Sequence, residues 1–382
     1  MPRVGGLVAL FRQKCSVCLR DYLEILGIGM NTTELKFTPL NPIPVGGEAK
    51  FVLTRDKVRV RVAFWPYKQD GASNKKAKGT ICLFQGRTEF IEKYFEVIED
   101  LRERGFNVAT LDWRGQGFSQ RRFKNRYKGH VRTFKQYSLD MEAFIATVKQ
   151  TYPGPYYALA HSMGGHIIFA NSANGVSNFF DRIVLTAPML HLAPQMLIKF
   201  PSFRKKPPAH GAYIASQRPT RLLTGLLRWF GLGGMFAPGG SKTPLFPFSD
   251  NPLTSDRERY DRMIELITMQ PDIGLAAPTV AWANAAMHSM RRILRIGFLK
   301  KIDRPILIIA SGADQIVSTP AIARAVTQVR VGQIITVRGA RHEIMFERDE
   351  LREQFWAAFD SFITNSKYVA ARSEVSASIE KT

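Results

Sequence analysis

The chain has 382 residues, 45% hydrophobic and 23% charged, with 29 glycines and 21 prolines, the proportions of a globular protein of one large domain or two. Three cysteines (Cys15, Cys18 and Cys82) cannot build a disulfide framework, and no apolar run approaches the roughly 18 to 20 residues of a membrane span; disulfide-scaffold, collagen-like, coiled-coil and multi-pass membrane classes are excluded, and a reducing, cytoplasmic setting is expected. Fifty-four Lys and Arg against 32 Asp and Glu leave a net charge of +22, which suits nucleic acid, anionic lipid headgroups or acidic substrates.

Residues 1–36 read as an N-terminal extension. Its first 29 residues hold Arg3, Arg12, Lys14 and Arg20 among short apolar patches, without the apolar centre and cleavage site of a signal peptide. One reading is a membrane-surface amphipathic segment; the preferred one is an upstream extension with the start at Met30. Cys15 and Cys18 form a lone Cys-x-x-Cys with no second pair, which does not make a zinc site.

From Lys57 the chain alternates, with Val58, Val60, Val62 and Phe64 on one side and Arg59 and Arg61 on the other, which predicts a strand. A polar loop over 67–79 leads to a strand at Thr80–Phe84. Next comes a helix with Ile91, Tyr94, Phe95, Ile98 and Leu101 on one face and Gly105 as its stop. The pattern continues with strand Phe106–Leu111, helix Ser138–Gln150, strand Tyr156–Ala160, helix Gly164–Asn174 and strand Arg182–Thr186. Between Trp113 and Lys135 lie eight basic residues and no acidic one. The alternation breaks at Pro188 and resumes with strand Ile306–Ala310, helix Pro320–Val329, strand Gln333–Val337 and a last helix near Leu351–Ile363. Strands and helices in turn imply an α/β fold: a mostly parallel central sheet with helices on both faces. The core is expected in two parts, 37–189 and 301–366. A helical cap over 190–300 is inserted before the acid-bearing strand, and a flexible polar tail covers 367–382.

The sharpest chemical signal is Ala160-His161-Ser162-Met163-Gly164-Gly165, where a strand ends and a helix begins. Such a nucleophile elbow needs small neighbours to project the Ser hydroxyl from the sheet. A serine nucleophile needs a base, and the base an orienting acid, in the chain order Ser, acid, His. Of the later histidines, His166 sits inside the elbow helix and His191, His210 and His288 lie in the insertion. His342 follows the last strand, at the carboxyl edge where the base belongs. Asp314 follows strand Ile306–Ala310 and precedes His342 by one helix and one strand; Glu343 is the alternative acid, but its adjacency to His342 makes it a poor orienter. The oxyanion is expected to meet the N–H groups of Met163 and Arg87, with Gly86 permitting the close turn. No metal or organic cofactor is called for.

At these residues the chain resembles a known family. Gln85-Gly86-Arg87-Thr88-Glu89-Phe90, Asp112-Trp113-Arg114-Gly115-Gln116-Gly117, His161-Ser162-Met163-Gly164-Gly165, Gly312-Ala313-Asp314 and His342-Glu343 are similar to bacterial lysophospholipases of the α/β-hydrolase superfamily, close to monoacylglycerol lipases. The resemblance spans Phe37 to Thr364, including Asn251–Asp256, Arg259-Tyr260 and Pro278-Thr279 in the insertion. It implies the α/β-hydrolase fold and a triad of Ser162, Asp314 and His342. Ala160 and Gln85 depart from the family pattern, the second where monoacylglycerol lipases usually carry His.

A serine ester hydrolase acting on lysophospholipids is therefore expected, with monoacylglycerol lipase or general carboxylesterase as the alternative. An inactive binding protein on the same fold and a nucleic-acid-binding protein are the remote rivals; no nucleic-acid motif accompanies the charge. The apolar cap, with Trp229, suits an acyl chain. The basic stretch, with Arg114, is expected to border the pocket and to favour a phosphate headgroup or peripheral contact with an anionic inner-membrane surface.

Overall fold

The computed structural model describes residues 32–68, 76–172, 175–197, 216–295 and 297–364. The expectations for the first 31 residues, their Cys-x-x-Cys, His210 and the tail after 364 lie outside these. In chain order the elements are β1 (Thr32–Thr33), β2 (Glu48–Leu53), β3 (Arg59–Trp65), β4 (Thr80–Phe84), α1 (Phe95–Glu103), β5 (Asn107–Leu111), α2 (Lys135–Thr151), β6 (Tyr156–His161), α3 (Met163–Ser172) and β7 (Arg182–Thr186). They continue with α4 (Arg218–Trp229), α5 (Arg257–Met269), α6 (Val280–Ile293), β8 (Ile306–Ser311), α7 (Thr319–Val326), β9 (Gly332–Val337) and α8 (Asp349–Thr364).

The nine strands form one sheet in the order β1-β2-β3-β5-β4-β6-β7-β8-β9. From β5 onward all neighbours run parallel, whereas β1, β2 and β3 join antiparallel at one edge. The antiparallel edge was not anticipated, because Glu-Ala-Lys-Phe-Val-Leu of β2 is half-exposed and mixes charge with apolar residues. Strand β4 shows why the sheet needs helices on both faces. Cys82 and Phe84 pack to one side with Phe144 of α2 and Phe169 of α3, while Ile81 and Leu83 pack to the other with Ile98 of α1 and Phe355 and Phe359 of α8. The alternation around Arg61 has a different meaning from a solvated face: Arg61 is fully buried, with its guanidinium between Glu92 and Asp112.

Between β7 and β8 the chain leaves the sheet and forms α4, α5 and α6. Its contacts place it over the carboxyl ends of the strands. Arg87 Nη2 donates to Ala276 O at 2.7 Å, the Glu343 N–H to Leu253 O at 2.8 Å, and the Ala276 N–H to Tyr127 O at 3.0 Å. The basic stretch supplies much of this fastening. Arg121 donates to the carbonyls of Gly115 and Gly117 and to those of Asp272, Ile273 and Gly274, and Arg126 donates to Asp272 O at 3.0 Å. Burial, with Arg126 adding to it, pulls the Arg121 guanidinium down to about 9.

Candidate active site

At the end of β6 the backbone turns sharply. Ser162 has φ +47°, a left-handed conformation that a side-chain-bearing residue holds only where its surroundings enforce it. Here the Ser162 N–H donates to Thr186 O at 3.0 Å, and its carbonyl accepts from the N–H groups of Met189 (2.9 Å) and His166 (3.0 Å). Ala160, in place of the usual glycine, lies inside β6, fully buried. The crowded position is Gly164, where an added Cβ would come within 2.8 Å of Gln85 O and closer still to Phe84 O. Because those are backbone atoms at the end of β4, Gly164→Ala should displace α3 or the loop after β4, costing about 1–3 kcal/mol from overpacking. Urea unfolding should show a lower midpoint and ester turnover should fall; wild-type behaviour in both would contradict this packing.

The loops after β8 and β9 bring two further groups to the serine. His342 Nε2 lies 2.9 Å from Ser162 Oγ, and His342 Nδ1 lies 2.8 Å from Asp314 Oδ2. Asp314 is locked in turn, its Oδ1 accepting from the N–H groups of Ile316 (2.8 Å) and Val317 (3.0 Å). Burial opposes ionisation of Asp314, but His342 and these N–H groups outweigh it and hold the carboxyl below its ordinary value. Burial likewise opposes the imidazolium of His342, and Asp314 overcomes it, so the imidazole stands above its ordinary value. His166 packs within the fold, its ring nitrogens 2.8 Å from Met189 O and 2.7 Å from Ser289 Oγ of α6.

The loop after β4 faces the same place and is tightly braced. Trp113 Nε1 donates to Gln85 O at 3.0 Å, and Gln116 Nε2 donates to Gly86 O at 3.0 Å, while Gln116 Oε1 accepts from the Thr88 N–H at 3.3 Å. The Gly86 N–H donates to Glu89 Oε2. Among the described residues, the N–H groups of Arg87 and Met163 donate to no protein acceptor. These bracing residues were not singled out in the sequence as functional, although Trp113 and Gln116 lie inside the Asp112–Gly117 motif.

Beneath the serine and histidine lies a buried ionic cluster. Lys93 Nζ bridges Glu89 Oε1 at 2.9 Å and Glu343 Oε1 at 2.5 Å, and the Tyr94 hydroxyl donates to Glu89 Oε2 at 2.7 Å. Glu89 and Glu343 are also joined by His161, whose ring lies 4.8 Å from that of His342. Two carboxylates and an imidazole this close could ligate a cation. The Lys93 ammonium already occupies both carboxylates, however, and a metal ion would have to displace it. Burial, against the pull of Glu89, holds His161 down to about 4.

Two expected substrate contacts lie elsewhere. The Arg114 guanidinium is buried and paired, with Nε 2.7 Å from Asp140 Oδ1 and Nη1 2.6 Å from Asp56 Oδ2, so its charge is spent on the scaffold. Trp229, at the end of α4, is turned out to solvent rather than into an acyl pocket. Gln85 is buried beside Thr110 and Leu111 of β5.

The chain has relatives among known proteins. The family profile described as "Serine aminopeptidase, S33" (Hydrolase_4) matches residues 75–349. Lysophospholipase L2 of Escherichia coli (strain K12) is 30% identical over 331 residues, covering 84% of each chain. Probable lysophospholipase L2 of Haemophilus influenzae is 26% identical over 284 residues, 74% of this chain and 83% of its own. Among solved structures, a soluble variant of the monoglyceride lipase of Saccharomyces cerevisiae superposes with a TM-score of 0.62 at 18% identity, covering 88% of this chain and 99% of the other. The likeness to that structure is one of fold.

Proposed function

We propose, on the premise that this chain belongs to the serine aminopeptidase S33 family and is an α/β-hydrolase serine hydrolase, that it cleaves the single acyl ester of a lysophospholipid. The observation that carries the reading is the hydrogen-bonded chain from Ser162 Oγ through His342 to Asp314. In the first step His342 takes the Ser162 proton as the oxygen attacks the ester carbonyl. The developing oxyanion is held by the N–H groups of Met163 and Arg87, with Gly86 shaping the turn. His342 returns the proton to the leaving alcohol, then activates the water that releases the fatty acid from Ser162. Asp314 fixes the tautomer of His342 and stabilises its cation. The helices between β7 and β8 act as the lid over the carboxyl ends of the strands, where the acyl chain would lie.

The relatives support the substrate class: lysophospholipase L2 and monoglyceride lipase both have monoacyl esters in their names. A lysophospholipid is preferred over a neutral monoacylglycerol because of the +22 charge and the 30% identity to lysophospholipase L2, against 18% to the monoglyceride lipase. Peripheral contact with an anionic membrane surface belongs to the same reading; among the described residues no helix is long and apolar enough to cross a membrane. The test is fatty-acid release from a lysophospholipid and a monoacylglycerol of identical acyl chain, with Ser162→Ala as blank. Preference for the lysophospholipid is expected. Preference for the glyceride would move the assignment to that alternative, and release from neither would remove it.

The pH profile follows from the electrostatics. Only neutral His342 can act as base, so kcat/KM should rise with pH through the raised pKa of this imidazole and then level off. In Asp314→Asn the raising partner is gone, so the rise should shift to lower pH while the plateau falls by about 10⁴. A rise that stays at the same pH in the variant would show that Asp314 does not set the ionisation of His342.

A further inference from the structure

Helix α4 has two unlike faces. Thr220 and Thr224 are buried, with Asn284 Nδ2 of α6 donating to Thr224 Oγ1 at 3.2 Å. The opposite stripe, spaced as successive helical turns, is exposed: Leu222 (69%), Leu226 (52%), Trp229 (78%) and the following Phe230 (63%). Arg218, Arg221 and Arg228 are interspersed along it, and the sequence from 182 to 249 contains no Asp or Glu. An exposed apolar stripe of this size is costly in water and marks an interaction surface.

Beside this helix lies a cavity of about 790 Å³ between α2, α3 and α6. Five cations reach it: Arg55, Arg132, Lys135, Arg228 and Arg292. Glu142 is the lining carboxylate, and Arg55 faces it at 3.8 Å. The other four cations pair with no carboxylate among the described residues, and Phe134 and Ala285 add an apolar wall. Burial, with Arg221, Arg291 and Arg228 adding to it, holds His288 below its ordinary value. Arg228 links the features, lying on α4, lining the cavity and donating to Arg132 O at 3.1 Å.

We propose that the outer face of α4 and this arginine-lined groove together form a docking surface for an anionic phospholipid bilayer. Leu222, Leu226, Trp229 and Phe230 enter the headgroup boundary, and the groove receives a lipid phosphate, separate from the ester cleaved at Ser162. Charge complementarity selects the occupant: unpaired arginines flanking an amphipathic helix with a terminal aromatic pair match a negatively charged lipid surface. The surface rests on the lipid reading above for its partner's chemistry, but uses none of the residues at Ser162.

The other four tryptophans, Trp65, Trp113, Trp282 and Trp356, are buried, so Trp229 emission reports on this face. Vesicles of phosphatidylcholine mixed with phosphatidylglycerol should shift that emission to the blue and carry the protein down on sedimentation; phosphatidylcholine alone should do so far less. The triple variant Arg132→Ala, Arg228→Ala, Arg292→Ala should bind the anionic vesicles about 100-fold more weakly. Leu226→Ser with Phe230→Ser should bind both kinds of vesicle less, and both variants should retain hydrolysis of a short water-soluble ester. Inorganic phosphate alone should leave Trp229 unmoved. The proposal is overturned by equal binding to both vesicles, by undiminished binding of the triple variant, or by a groove that takes free phosphate but no vesicle. It is also overturned by emission already blue and unchanged by lipid, as cover by another segment, a second copy or an acidic protein would give. If the native chain turns over no ester, the assignment of function fails, and the vesicle experiment still decides this surface.

Discussion

Ser162→Ala should lower ester turnover by 10⁴- to 10⁶-fold, a range set by how serine hydrolases respond to loss of a triad member. The substitution removes only the oxygen that stands 2.9 Å from His342 Nε2, and leaves a Cβ in the same left-handed turn. The fold should therefore persist, and the urea midpoint should stay close to that of the native chain. His342→Ala should cost a similar factor, and the double variant little more than either, because nucleophile and base act as one unit. Fluorophosphonate labelling gives an independent readout: the native protein should be labelled and Ser162→Ala should not. Turnover within tenfold of native in a correctly folded Ser162→Ala would mean that another group carries the reaction.

A comparably large effect is expected on stability from Arg61→Met. Arg61 is fully buried, with Nε 2.8 Å from Asp112 Oδ2 and the two Nη atoms 2.8 and 2.6 Å from the oxygens of Glu92. Asp112 also accepts from the N–H of Ile91 at 2.9 Å and of Phe118 at 2.9 Å, so its carboxylate orders the segments after β4 and β5. Removing the cation would strand two carboxylates away from water, at a cost of about 3–5 kcal/mol. Burial already pushes Asp112 above its ordinary value even with Arg61 beside it. Urea unfolding should show the loss directly, partly recovered when Glu92→Gln and Asp112→Asn remove the stranded charges. An unchanged midpoint would mean that water or rearrangement compensates the pair. The exposed pairs of Lys68 with Glu99 and Glu103 should matter far less.

Much of the architecture was readable because strand and helix write their periods directly into β4, β5, β6 and β7. The candidate chemistry was readable for a related reason. A serine at a strand-to-helix turn and an Asp and a His after later strands are local signals that parallel topology brings to one edge. What escaped the reading depends on partners distant in sequence. Arg61 looked like one member of a polar face, since alternation records polarity and not whether a counter-charge waits at Glu92. Arg114 looked available to a headgroup because Asp56 and Asp140, which claim it, come from β-turn and helix segments on either side. Glu343 was weighed only as an orienter of its neighbour. Its ammonium partner, Lys93, precedes it by 250 residues. Trp229 was assigned inward because an apolar residue in a cap does not declare which face of α4 it occupies.

The insertion between β7 and β8 also governs when the molecule can become active. Thr186 pairs with Ile309, and the register begins at Ile183 with Ile306, so joining these neighbouring strands closes a loop of roughly 120 residues, an entropic cost of about 4 kcal/mol. Ser162 lies on the part of the sheet made first, while Asp314 and His342 arrive with β8 and β9. On the proposed triad, a growing chain carries Ser162 beside no base for the 180 residues that separate it from His342, and an acyl ester can be attacked only once β8 and β9 have joined the sheet. With that triad, joining this one parallel strand pair late would hold back the chemistry until the sheet is complete.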